Sequence, residues 1–172
     1  MKLYNAVSGM NPVQNFVAAA GCTVNAGDFV KLSGGYLVPC ANADSTCIGR
    51  ALAGGTQLAT IPTITQADGT TVVDFSQQGY GGLVVIPVAV AFETVSYDIP
   101  VTDATTGSTP VDVPFDLTFK GGQFGLKLAS GVYTLNAGDT THKLLVVRDV
   151  LQTGANNTGI ARVVVVRSAF GL

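Results

Sequence analysis

The sequence predicts an all-β fold: a β-sandwich or barrel-like domain with an extended N-terminal arm. Three observations carry that expectation. Glu93 is the only glutamate and lysine is scarce, so the strong surface helix formers are missing. Val, Thr and 21 Gly take their place, which is a vocabulary of strands and turns. Apolar runs are short and regularly interrupted by turn signals, as in sandwiches and barrels.

The elements follow in order. Residues 1–20 show no clean period, and Gly9 and Pro12 argue against a continuous helix, so the stretch reads as an arm or irregular lead-in. Its apolar side chains Leu3, Tyr4, Val7, Met10 and Phe16 are costly to leave in water and are expected to pack on the domain or on a neighbour. They are the candidate partner- or subunit-binding residues. Residues 21–172 form the β domain, with room for two β lobes divided near 100–110. Asn25-Ala26-Gly27-Asp28 is a turn, Phe29–Leu32 a strand and Ser33-Gly34-Gly35 a hairpin turn that returns through Tyr36–Val38. Leu83–Tyr97 is the strongest strand, large and apolar on one face, with Pro87 expected at an edge or bulge. Thr102–Pro110 reads as an exposed loop. Val111–Phe119 reads as a strand with Asp112 and Asp116 on one face, and Phe124–Leu128 with Val132–Leu135 as a second hairpin. Lys143–Leu151 and Ile160–Ala169 close the chain. Val30-Lys31-Leu32-Ser33-Gly34-Gly35 is similar to Leu126-Lys127-Leu128-Ala129-Ser130-Gly131, a hint of duplicated β units.

Charge narrows the function. Only 12% of residues are charged, against about 25% in ordinary soluble domains, and the net charge is −2. Such a chain shows neutral side chains to water or buries part of its outside against partners. Nine basic residues are scattered without a cluster, so no nucleic-acid partner is expected. The longest apolar run, Leu83–Phe92, is far short of the roughly 18 residues of a membrane helix and contains Pro87, so no membrane partner is expected either. The polar residues before Cys22 leave no room for the apolar core of a signal peptide.

Catalytic chemistry finds little to work with. There is no nucleophile elbow or phosphate loop, and the single histidine, His142, has no local nucleophile partner. Asp112 and Asp116 read as a solvated strand face rather than a pair of catalytic acids. Asp98, Asp103, Asp112 and Asp116 lack the spacing of a calcium loop. Cys22, Cys40 and Cys47 read as reduced thiols, with a Cys40–Cys47 bond as the oxidised alternative. The expectation is therefore no enzyme, no metal and no cofactor.

The stretch from Asn25 to Leu52 carries a resemblance. It reads Gly27-Asp28-Phe29-Val30-Lys31-Leu32, then Gly34-Gly35, Leu37-Val38-Pro39-Cys40, a small polar loop, and Ile48-Gly49-Arg50-Ala51-Leu52. This resembles the capsid decoration, or cement, proteins of tailed bacteriophages and related head-stabilising proteins. The resemblance implies a virion protein, made in the host cytoplasm, that binds the outer surface of the assembled shell. Its partners would be the major capsid protein and itself, as a homotrimer. The alternative is a carbohydrate- or receptor-binding β module of a phage tail or fibre, which would need clustered exposed aromatics.

Overall fold

A computed structural model describes residues 13–79, 82–90, 95–102, 115–129, 131–153 and 159–166. Among them there is no α-helix, only strands and two single 3-10 turns, so the all-β expectation holds. No helix in the described residues is long and apolar enough to cross a membrane.

The strands form two units. The first is a five-stranded sheet built from β1 (Val13–Val17), β3 (Phe29–Ser33), β4 (Tyr36–Pro39), β5 (Gly49–Ala51) and β9 (Val85–Val90). Its order is β1-β9-β5-β3-β4, and its two end strands meet at one parallel bridge, Ala18 to Leu37. The second is a closed barrel of β10 (Tyr97–Thr102), β11 (Gln123–Ala129), β12 (Val132–Asn136), β13 (Leu145–Gln152) and β14 (Ile160–Val165), in the order β10-β12-β11-β13-β14. The strands divide between Val90 and Tyr97, earlier than the 100–110 expected from composition. Two small ladders involve the long β5–β9 connection: β2 (Thr23–Val24), from the β1–β3 connection, pairs with β6 (Gly55–Thr56), and β7 (Thr63–Thr65) pairs with β8 (Thr71–Val73).

The two units repeat one topology, bond for bond. In each, the first strand runs antiparallel to the last and meets the third in parallel. The Ala18 amide donates to the Val84 carbonyl at 3.0 Å, and the Val101 amide to Gly159 at 3.0 Å. Gly27 donates to Ala51 at 2.8 Å, and Gly121 to Val147 at 2.8 Å. Ile48 donates to Val30 at 2.8 Å, and Leu144 to Phe124 at 3.1 Å. Gly27 and Gly121 both have positive φ, 92° and 85°, which lets the chain turn into the strand that follows. The bridge Ala18–Leu37 corresponds to Val101–Leu135, and all four side chains are buried. The second hairpin is longer: seven positions separate Val30 from Leu37, eleven separate Phe124 from Leu135.

Three sequence expectations are corrected. Pro87 lies in β9, an inner strand between β1 and β5. It is tolerated there because its ring replaces an amide at the point where the β5 ladder stops, and its carbonyl still accepts from Leu52 at 2.8 Å. The long Leu83–Tyr97 strand is two strands, β9 and the start of β10. Of Val111–Phe119, residues 111–114 lie outside the described residues. Leu117–Phe119 is a 3-10 turn capped by Asp116, whose carboxylate accepts from the Thr118 amide at 2.8 Å.

The units are joined by aromatic packing. Phe29 of the first sheet meets Tyr97 and Tyr133 of the barrel edge-on, with ring centroids 5.3 and 5.5 Å apart. Each such pair contributes about 0.5–1.5 kcal/mol beyond its burial. The Arg50 guanidinium lies over the Phe29 ring at 5.6 Å. Tyr133 donates its hydroxyl to the Cys40 carbonyl at 2.9 Å, and the Leu128 amide donates to the Asn42 side chain at 2.7 Å. One buried cluster therefore runs from Phe29, Cys40 and Cys47 into the barrel, and a second fills the first sheet around Leu37, Ile48 and Ile86.

Candidate functional site

The site begins with β1. Val13 to Val17 pairs with β9 in the register Phe16 opposite Ile86. Because the Ala18 amide bonds to Val84, the amides of residues 16 and 14 also face β9. Those of Val13, Asn15 and Val17 then point the other way, toward the seam with β4. β1 and β4 lie side by side but pair only at the Ala18–Leu37 bridge, reinforced by the Ala19 amide donating to Leu37 at 2.9 Å. Beside that bridge lies a groove of about 390 Å³. Asn15, Phe16 and Val17 form one wall, the Gly34-Gly35 turn with Tyr36 the other, and Val73 and Phe75 close it.

No lining residue is charged. Gly34 and Gly35 have φ of 57° and 85°, which suits the tight turn. Phe75 is 60% exposed, an unusual position for a large ring. Asp74 sits between Val73 and Phe75 but turns its carboxylate onto the Ser76 hydroxyl and amide, at 2.6 and 3.0 Å. Those bonds hold its pKa below the ordinary carboxylate range. The groove can therefore take a neutral, apolar or hydrogen-bonding ligand.

Of the sequence-derived site residues, Phe16 lines this groove while packing partly on the core of the first sheet. Leu3, Tyr4, Val7 and Met10 lie outside the described residues. The stretch 13–17, expected as part of an arm, is an edge strand of the sheet. Asn15, Val17, Tyr36, Val73 and Phe75 were not legible as site residues. Phe75 gave a signal: an aromatic alone in the polar run Asp74 to Gln78.

Elsewhere the polar chemistry is accounted for locally. Cys40 and Cys47 are buried free thiols, donating toward the Thr46 and Gly49 carbonyls at 3.6 and 3.5 Å. A hydrogen bond with the Cys47 thiol and burial push the Cys40 pKa far up, and burial raises Cys22. Cys40 and Cys22 stay protonated, which argues against thiolate chemistry at either. His142 Nδ1 lies 2.9 Å from the Asp139 carboxylate. Arg162 clasps Asp98 with two bonds, 2.8 and 3.1 Å. Asp112 and Asp103 lie outside the described residues. Among the described residues, no three His, Cys, Asp or Glu side chains come together as a metal site would need.

No protein-family model matches the chain, and comparison with curated proteins gives no match. Among solved structures, the crystal structure of the bacteriophage phi29 gene product 12 C-terminal fragment is similar over 90% of this chain and 99% of that one. Identity there is 12% and the TM-score 0.37. A likeness of that degree carries no argument about fold or function.

Proposed function

We propose that the chain is a structural protein of a bacteriophage virion that binds the outer surface of the assembled capsid and stabilises it by bridging neighbouring capsomers. The observation that carries this reading is an uncharged groove beside an outward-facing strand edge, on a chain with only 12% charged residues. Such a surface is suited to apolar and main-chain contacts with another protein. The resemblance of Asn25–Leu52 to capsid decoration proteins supports the same reading. Many identical weak contacts on a lattice add up by avidity, so no single contact need be strong.

Association should then depend little on salt, because few charges take part. Particles stripped of the protein should rupture at lower temperature or weaker osmotic shock, and adding it back should restore them. Full recovery of strength without the protein would overturn the reading. A tail or fibre module that binds carbohydrate predicts instead that glycans bind at Tyr36 and Phe75 and that changing these residues abolishes glycan binding.

A further inference from the structure

We propose that the outer edge of β1 and its groove form a strand-docking site, and that its occupant is the N-terminal segment, residues 1–12, of a second copy of this chain. The inference stands apart from the virion reading. It comes from comparing the two units of the fold at equivalent positions.

The shared bonds align Ala18 with Val101, so β1 and β10 correspond residue for residue: Asn15 with Asp98, Val17 with Pro100. In the barrel β10 pairs with β12 only at Val101 and Thr102, and the stretch ahead of that pairing is blunted twice. Pro100 has no amide to offer, and Asp98 is held in a two-bond ion pair with Arg162. Proline and charge are the usual devices that stop a strand edge from recruiting another strand. In the first sheet both devices are gone. Val17 has an amide where the barrel has a proline, Asn15 is neutral where the barrel has a carboxylate, and Pro87 stands where the barrel has Arg162. The longer second hairpin also matters. The barrel spends it on the joint, where Tyr133 docks on the first sheet. The first hairpin stops at Gly34-Gly35 and leaves the groove open.

A strand added here would bond to the outward amides and carbonyls of Val13 and Asn15 and to the Val17 amide, and set alternate side chains against Phe16, Tyr36 and Phe75. The groove has no charge, so it favours an uncharged strand. Residues 1–12 offer Leu3, Tyr4, Val7 and Met10, with Lys2 as the sole charged side chain. The other twelve-residue segment outside the described residues, 103–114, carries Asp103, Asp112 and two prolines and suits the groove poorly. Residues 1–12 also join the chain at Val13, the first residue of the strand whose Asn15–Val17 form one wall of the groove, and span up to about 40 Å when extended. Two copies can therefore exchange segments reciprocally, each leaving beside its own groove and filling the other's. Return onto its own strand through a tight Asn11-Pro12 hairpin is disfavoured, because proline is poorly placed at the second central position of such a turn.

The test is sedimentation velocity on the purified full chain, without particles. It is run on the unmodified chain, on Val17→Pro, which copies the barrel's blunted edge, and on Leu3→Asp with Val7→Asp. The expected result is concentration-dependent self-association, weakened at least about tenfold by either change. A synthetic peptide of residues 1–12 should dissociate the unmodified complex, which decides the matter even where Val17→Pro fails to fold. A chain that stays monomeric at its highest soluble concentration overturns the proposal, as does association indifferent to the peptide. Loss in Val17→Pro alone, with the Leu3/Val7 variant still associating, assigns the edge to another strand and overturns the occupant. Capsid binding is not measured here, so a failure of the virion reading cannot be mistaken for a failure of this one.

Discussion

Two tyrosines at the joint between the units should respond in opposite directions to the same substitution. The Tyr133 hydroxyl donates to Cys40 at 2.9 Å and lies 3.3 Å from the Phe29 carbonyl, in buried surroundings. The Tyr97 hydroxyl is buried with no hydrogen-bond partner among the described residues. Burial pushes the pKa of both hydroxyls up, so both are neutral at any ordinary pH. Phenylalanine keeps each ring and its edge contact with Phe29 and removes only the oxygen. Tyr133→Phe leaves the buried Cys40 carbonyl without that donor, a loss of about 2 kcal/mol. For a chain of this length that lowers Tm by about 4–8 °C. Tyr97→Phe removes a desolvated, unbonded hydroxyl and should raise stability by about 1 kcal/mol, or Tm by about 2–4 °C. Calorimetry and urea unfolding of both variants beside the unmodified chain read the difference. If Tyr97→Phe falls as far as Tyr133→Phe, the Tyr97 hydroxyl has a partner. If Tyr133→Phe is neutral, its bond across the joint contributes nothing, and the reasoning fails.

Other perturbations have equally definite outcomes. A Cβ at Gly49 would come within 2.2 Å of the Ala89 carbonyl oxygen in the facing strand, so Gly49→Ala should lose about 3 kcal/mol in urea unfolding. Replacing Cys22, Cys40 and Cys47 together by alanine should cost about 1–3 kcal/mol yet leave the fold and its associations intact. Asp139 is partly buried, which alone would raise its pKa. The amides of His142 and Thr141 and the His142 ring outweigh that and hold it below the ordinary value. Its contribution is therefore present above the unfolded carboxylate pKa, about 3.9, and lost as pH falls through the lower folded value. Asp139→Asn should be less stable at neutral pH and should lose less on acidification, as thermal melts from pH 7 down to about 2 would record.

The fold class was legible because the vocabulary of Val, Thr and Gly leaves helix no foothold. The duplication was half legible. The similar words at Val30–Gly35 and Leu126–Gly131 fall on corresponding hairpins, but they align turn with turn. The core ladder instead aligns Val30 with Phe124, two residues earlier, because the second hairpin is longer by two residue pairs. An even shift keeps every side chain on its face, so the period of the sequence gives no warning. The groove was not legible at all beyond Phe16. It is assembled from β1, the Gly34-Gly35 turn and the Phe75 region, brought together by a parallel bridge between Ala18 and Leu37 that no local pattern encodes. Pro87 misled for a related reason. Proline is tolerated inside a sheet where one bond alone is lost, and in β9 the Pro87 carbonyl still accepts from Leu52 at the end of the β5 pairing.

The central claim, that this chain works by covering and bridging a capsid surface, is tested most directly by density-gradient fractionation of intact particles. The account predicts that the protein bands with the particles at moderate and high salt alike, and that particles stripped of it rupture at lower temperature until it is restored. Protein that remains free at the top of the gradient, or stripped particles as robust as complete ones, would contradict it.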